Sequence, residues 1–414
     1  MIIGMPVTRI DADLLIPGRG DPIRNGTVVL DGPAIRYAGP SDVAPPTPNA
    51  TVVRTPAVLP GLWDAHTHLL GFHMFDLAQL PQLPVALRAA RSTADLRAAL
   101  NAGITSIREL GGLGVHLARA VEEGAIEGPA IYAAGAILST TGGHADVHSM
   151  PLAWMDEYSA AGAEVRICDG PAECARAARE QLRRNAKVIK VCASGGVLSE
   201  VDPLEHQQFT GAELRAVVEV AGMAERIVAA HCHGKPGIMA ALEAGARTIE
   251  HGTFLDEESA DAMRETGAVL VTTRTIVHEI LDSGAAPAFA LPKLEAVADR
   301  HAAAIQLAVE RGVTVAMGSD LGVSGAHRPA GWGRNGRELP LLLRLGFTPL
   351  QVIEMSTATG PETLGPQAPR SGQLREGFDA DVITVDGDPL TELTLLADPA
   401  RITGVWRAGR RVKV

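Results

Sequence analysis

The stretch Leu59–His68 reads LPGLWDAHTH, an apolar run that ends in two histidines spaced two apart. Side chains of an extended strand alternate between its faces, so His66 and His68 project to the same side. Two imidazoles on one side suit a borderline divalent cation such as zinc. The run Val58–Ala65 is also the first of a series. Short runs follow at Ile104–Ile107, Ala130–Ala134, Val188–Val191, Ile227–Ala230, Thr248–Ile249, Ala268–Thr272 and Val313–Ala316. Ala-, Leu-, Glu- and Arg-rich stretches separate them and predict helices over Thr93–Asn101, Pro171–Arg184, Gly211–Ala224, Pro236–Ala244 and Asp256–Thr266. Strand–helix alternation implies a parallel sheet with crossovers. Eight such strands favour a (β/α)8 TIM-type barrel over an open doubly wound sheet.

Both chain ends have a different texture. Asn25-Gly26, Asp31-Gly32-Pro33 and Gly39-Pro40 punctuate short apolar stretches before residue 58, and Asp381–Val385 and Ile402–Trp406 repeat the pattern near the C-terminus. These read as strands and turns. The predicted organisation is an α/β protein with a small β-sandwich domain from residues 1–58 plus 368–414 and a barrel from 59–367.

Composition narrows the function classes. Of 414 residues, 46% are hydrophobic and 21% charged, which excludes a disordered or fibrous chain. A net charge of −11 leaves no basic footprint for nucleic acid. No apolar run reaches membrane-spanning length and no leader pattern opens the chain, so a cytoplasmic protein with no membrane partner is expected. Cys168, Cys174, Cys192 and Cys232 form no CxxC pair and read as small buried residues. No GxGxxG dinucleotide loop is read as opening a helix, and no GxxxxGK[ST] phosphate loop is found.

The polar residues fall at the ends of the predicted strands, where a barrel carries its active site. Lys190 stands inside the apolar run KVIKVCASGG, where an ammonium is costly to bury. It either snorkels at a strand end or, with a depressed pKa, reacts with carbon dioxide to give a carbamate that bridges two metals. His231 and His233 end IVAAHCHG, His251 ends RTIEHG, and Asp320 ends VTVAMGSD. One buried histidine is unremarkable. HxH, Lys, His, His and Asp in that order, each at a strand end, is a site.

This order, carried by PGLWDAHTH, TSIRELGG, TGGHAD, VIKVCASGGVLS, AAHCHG, TIEHG and MGSD, resembles the amidohydrolase superfamily over nearly the whole chain. Within it the chain is similar to imidazolonepropionase-like enzymes, Xaa-Pro (prolidase-like) dipeptidases and ochratoxin-hydrolysing amidases. The resemblance implies that His66 and His68 bind a buried metal and that carboxylated Lys190 bridges it to a second. It assigns His231 and His251 to the second metal, and makes Asp320 both ligand and general base. His233 is expected to line the site for substrate. His144, in TGGHAD, is a candidate catalytic contact to the carbonyl or oxyanion, since the preceding glycines let backbone approach a ligand. The cofactors implied are two divalent metal ions, zinc first, with Mn, Co or Fe also compatible with mixed N/O ligands. The implied reaction is attack of a metal-bridging hydroxide on the amide or peptide bond of a small N-acyl amino acid, dipeptide or ochratoxin-like aryl amide. Cyclic amides, lactones, carbamates and deamination are alternatives served by the same groups. A catalytically silent scaffold is disfavoured because every metal and base position is filled.

Arg274, at the end of the seventh strand, is the expected partner for a substrate carboxylate, or else pairs with Glu279. Arg108 and Glu109 are expected to brace the barrel mouth. His73, Met74 and Phe75 follow the HxH motif and are expected to line a hydrophobic substrate pocket, with His278, His327, Arg328 and Trp332 on loops at its rim. Relatives are often closed oligomers, so a homo-oligomer acting on a small molecule is expected.

Overall fold

The fold is taken from a computed structural model that describes residues 7–74, 76–284 and 286–413; Phe75 lies outside them. The chain opens with β1 (Thr8–Leu15), β2 (Ile23–Asp31), β3 (Ala34–Pro40) and β4 (Thr51–Pro60). The alternation begins with β5 (Leu62–Phe72), α1 (Val85–Asn101), β6 (Ile104–Glu109), α2 (Gly114–Glu122), β7 (Ala130–Ala133) and β8 (Ile137–Ser139). It continues through α3 (Leu152–Ala160), β9 (Val165–Ile167), α4 (Pro171–Arg183), β10 (Ile189–Cys192), α5 (Gly211–Met223), β11 (Val228–Cys232) and α6 (Lys235–Ala244). Then come β12 (Thr248–His251), α7 (Glu257–Thr266), β13 (Val269–Val271), α8 (Arg274–Ser283), α9 (Leu291–Glu310), β14 (Thr314–Ala316) and β15 (Leu321–Val323). The chain closes with α10 (Glu338–Leu343), α11 (Pro349–Met355), β16 (Val382–Val385), β17 (Ile402–Arg407) and β18 (Arg410–Lys413).

The two ends form one seven-stranded sheet in the order β18-β17-β16-β4-β1-β2-β3. Its strands share a core separate from the barrel's, built on Ile10, Leu15, Val28, Ile35, Val58, Val382 and Trp406. β5 to β8 and β10 to β14 form the parallel barrel, with β9 added beside β8 and β15 beside β5. β5, β6 and β7 pair in one run, and β8 and β10 to β14 in another. Two backbone bonds close the ring, Lys187 N–H to Ala133 O at 2.8 Å and Ala65 N–H to Met317 O at 2.9 Å. The third barrel strand is thus split into β7 and β8, with Gly135 between them at φ 79°.

The predicted first strand, Val58–Ala65, is divided. Val58 to Pro60 belong to the terminal sheet, where Val58 pairs with Thr384, and the barrel strand starts at Leu62. Pro60 has no N–H to continue a ladder. Gly61 lets the two sheets cross closely, since a Cβ there would lie 2.1 Å from Thr105 Oγ1.

The predicted helices form for local reasons. On α4, Cys174, Ala177, Ala178 and Gln181 bury one face at i, i+3, i+4 and i+7. Capping boxes open α5 (Thr210 with Glu213) and α7 (Asp256 with Ser259). Gly245 and Gly267 end α6 and α7 in the left-handed region. One expectation fails here. His278 lies within α8 rather than on a loop, because Ile276, Val277 and Ile280 recur at helical spacing and face a shared apolar cluster. All four cysteines are buried and unpaired. Among the described residues, no helix is long and apolar enough to cross a membrane.

Candidate active site

Strand ends bring the predicted ligands together at one end of the barrel. β5 carries His66 and His68 on one face, and Asp320 follows β14. The Oδ1 atom of Asp320 lies 3.2 Å from His68 Nε2 and 3.6 Å from His66 Nε2. β11 carries His231 next to its last residue, with His233 just beyond, and β12 ends in His251. The structure therefore holds two trios whose ligand atoms lie within 4.8 Å of one another: His66, His68 and Asp320, and His231, His233 and His251. The His66 and His251 rings, 5.0 Å apart, join the trios. Lys190 lies beside them on β10, its Nζ 3.3 Å from His66 Nε2.

Each histidine of the trios has one ring nitrogen already engaged. The Nδ1 atoms of His66, His68, His233 and His251 meet Glu250 (2.9 Å), Gly111 O (2.9 Å), Thr253 Oγ1 (2.7 Å) and Thr273 Oγ1 (2.7 Å). His231 instead meets Gly195 O through Nε2 at 3.1 Å. The second nitrogens of His231, His233 and His251 have no hydrogen-bond partner among the described residues, those of His66 and His68 meet Lys190 and Asp320, and the engaged nitrogen fixes each ring's orientation, as metal-binding histidines require. Burial depresses His231, His233 and His251 well below the usual imidazole range, and brings His66 down to about 4, with Lys190 adding repulsion. Neutral rings are what a cation needs. Burial raises the Asp320 carboxyl, but His66, His68 and Lys190 outweigh it and hold it at about 2. Burial lowers the Lys190 ammonium from its ordinary value. These features fit a pair of divalent cations.

The backbone is strained at the same place. His251 (φ 70°) and Asp320 (φ 59°) both occupy the left-handed region. That conformation costs a non-glycine residue about 1–3 kcal/mol and clusters at functional sites.

Two interior carboxylates support the set. Glu250 accepts both the His66 ring and the fully buried Arg108 guanidinium, at 2.7 and 2.8 Å from Arg108 Nη2. Arg108 therefore braces the barrel interior rather than its mouth, through Ala65 O and Thr363 O as well. Asp64 accepts from Ser319 N–H and Asn335 Nδ2, which ties β5 to the segment carrying Asp320. Asn335 carries no distinct sequence signal, lying in a Gly- and Arg-rich loop. Glu250 had a readable signal: an acid inside the apolar run TIEH, alternating with the histidine.

The ligands stand on the wall of one cavity, together with His144, Thr273 and His301. The His144 ring stacks on His231 at 4.3 Å, and its Nδ1 lies 2.7 Å from Ser199 Oγ. Burial depresses it to about 4. The rest of the wall is largely apolar, with Leu70, Phe72, Val197, Leu198, Val277 and Ile280.

The expected substrate contacts fare unevenly. His233 is on the wall. Arg274 is buried at the first turn of α8 but does not line the cavity; its Nη2 lies 3.1 Å from His278 Nε2. Glu279 is not its partner, since Glu279 pairs with Arg334 and Arg337. His73 is half-buried near Arg91, Arg328 and His327, off the wall. Trp332 is fully buried and donates to His68 O at 3.2 Å, supporting the ligand strand rather than forming a rim.

A family model described as "Amidohydrolase family" matches residues 57–412. The chain belongs to the amidohydrolase family. Ochratoxinase of Aspergillus niger is 40% identical over 98% of this chain and 87% of its own. The crystal structure of that enzyme superposes with a TM-score of 0.92, covering 99% of this chain and 96% of the other. A prolidase structure complexed with N-methylphosphonate-L-proline matches at 32% identity and a TM-score of 0.89, over 98% of this chain and 99% of the other. Imidazolonepropionase of Streptomyces coelicolor is 25% identical over 94% of this chain and 92% of its own. This amidohydrolase is accordingly an enzyme that hydrolyses amide bonds, on a barrel with an added terminal sheet.

Proposed function

We propose that this amidohydrolase uses two divalent cations, zinc first, to cleave the amide or peptide bond of a small N-acyl amino acid, dipeptide or ochratoxin-like aryl amide. The observation that carries it is the pair of ligand trios beside Lys190, His66, His68 and Asp320 on one side and His231, His233 and His251 on the other. His66, His68 and Asp320 would hold one cation, and His231 and His251 the other. Lys190, its ammonium disfavoured by burial, would be carboxylated and shared between them. When bound, such cations supply a water of lowered pKa and positive charge at the scissile carbonyl.

The chain's own groups do the rest. Asp320 is ionised throughout the neutral range, so it can take a proton from the attacking water and return it to the leaving amine. His144 is neutral. Its Nδ1 meets Ser199 Oγ, which leaves Nε2 toward the substrate, and in the tautomer that carries the proton on Nε2 it would hydrogen-bond the carbonyl oxygen as charge develops there. The His233 Nε2 faces the same space and would contact substrate. The apolar wall excludes water and suits a hydrophobic or aromatic acyl group.

The test is amine release by metal-replete protein from apolar N-acyl amino acids, dipeptides and aryl amides, with lactones and carbamates alongside. Turnover of an amide class is expected. Turnover confined to lactones or carbamates would contradict the reading.

A further inference from the structure

His301 has no part in the chemistry described so far. It sits at the middle of α9, is 1% exposed, and lines the same cavity as the ligand trios. Among the described residues, neither of its ring nitrogens has a hydrogen-bond partner. The His251 backbone lies near enough to favour a charged ring, yet neither nitrogen makes a hydrogen bond of ordinary geometry with it. A buried donor or acceptor left unmade is costly, so its retention calls for a partner that arrives with the ligand.

Its surroundings indicate which partner. Leu294, Val297 and His301 share one face of α9 at i, i+3 and i+7 and all line the cavity. The helix rises about 1.5 Å per residue, so His301 lies roughly 10 Å further along than Leu294. Among the described residues it is the one polar group on the cavity wall built by α8 and α9, where Ile276, Val277 and Ile280 complete an apolar surface. Behind it stands Arg274, close enough to repel a charged His301 ring. The Arg274 guanidinium has no ion-pair partner among the described residues, and its buried Nε is also unpaired. Glu338, its strongest acidic neighbour, is committed to the backbone N–H groups of Arg274 and Thr275. An unpartnered imidazole on the cavity wall, backed by a guanidinium that Glu338 and Asp299 influence only through space, favours an anion over a neutral group.

We propose that His301, with Arg274 behind it, is the contact for a carboxylate on the substrate's leaving portion. This rests on the proposed amide hydrolysis with an amino acid as leaving group. His301 touches the carboxylate, and Arg274 acts through His301 as a positioning residue.

The test compares an N-acyl amino acid with its carboxamide on metal-replete enzyme, using His301→Leu, His301→Gln and Arg274→Met. His301→Leu should reduce the acid-to-carboxamide ratio of kcat/KM about 10- to 100-fold, chiefly through KM, with metals per chain unchanged. Gln, which can still donate, should restore part of the ratio. Arg274→Met should lower the ratio in the wild-type background and have no further effect in His301→Leu. An unchanged ratio, or loss of metal in His301→Leu, would overturn the assignment. Should wild-type protein cleave neither compound, the hydrolytic reading fails separately. Calorimetric binding of the same acid and carboxamide then decides the inference: a preference for the acid that His301→Leu abolishes supports it, and equal binding overturns it.

Discussion

His66 turns its Nδ1 edge to a Glu250 carboxylate oxygen 2.9 Å away, and that carboxylate is shared with the wholly buried Arg108. Arg108 and His66 together outweigh the burial that would raise Glu250, and hold its carboxyl at about 2. One ion pair thus fixes both the strand interior and the orientation of a predicted metal ligand.

Glu250→Gln should therefore lower both stability and metal affinity. Breaking one side of a buried pair costs about 3–5 kcal/mol, and losing a partner behind a metal ligand costs about 10- to 100-fold in affinity. Adding Arg108→Met should recover part of the melting temperature without recovering the metal. Thermal melts and chelator competition on the single and double variants separate the two effects. Recovery of both together would show that Glu250 serves packing alone.

Lys190→Ala should lose one or both cations per chain, and bicarbonate with a short carboxylic acid should restore part of the activity. The amine lies 3.3 Å from His66 Nε2 and is buried, so a small anion can occupy the space that its removal leaves. Full activity without any added acid would remove the carbamate from the mechanism.

Asp320→Asn should retain substrate binding while kcat falls about 100-fold or more, the usual range for a lost general base. The amide has no lone pair basic enough to take the proton that the carboxylate takes. Steady-state kinetics at matched metal content gives the answer; a change confined to KM would assign Asp320 to binding.

Asp95 offers a pH test away from the ligands. It is 2% exposed on α1 and accepts from Ser324 Oγ and Gly325 N–H, and burial raises its carboxyl to about 6. A folded pKa above the unfolded value of about 3.9 means that the folded state holds more protons between the two. Stability from this group is thus full below pH 4 and is lost as pH rises through 6, by roughly 3 kcal/mol at most. Asp95→Asn should flatten that part of the profile and raise the melting temperature at pH 8 relative to wild type. Parallel profiles for the two proteins would contradict the assignment.

The barrel was legible because its strands end in residues that an apolar run does not otherwise carry. His66, Lys190, His231, His251 and Asp320 each stand out against Val, Ile and Ala. The pairing of the chain ends was legible from turn signals alone. The break at Pro60-Gly61 was less visible, since Val58–Ala65 reads as one strand until the terminal sheet claims its first half. α8 was obscured by Thr272, Thr273 and Thr275, whose β-branching reads as strand or loop before the spacing of Ile276, Val277 and Ile280 is considered. His301 gave no signal at all. In an Ala-rich helix a lone histidine has no pattern, and only the packing of α9 against the barrel brings it to the cavity.

Amide hydrolysis as proposed depends on a two-cation site. Its most direct test is to titrate metal-free protein with zinc while following both metal bound per chain and amine released from an apolar N-acyl amino acid. Activity should rise to its full value only as the second equivalent binds, and Lys190→Ala should break this relationship. Full amide turnover at one equivalent per chain, or turnover without any metal, would contradict it.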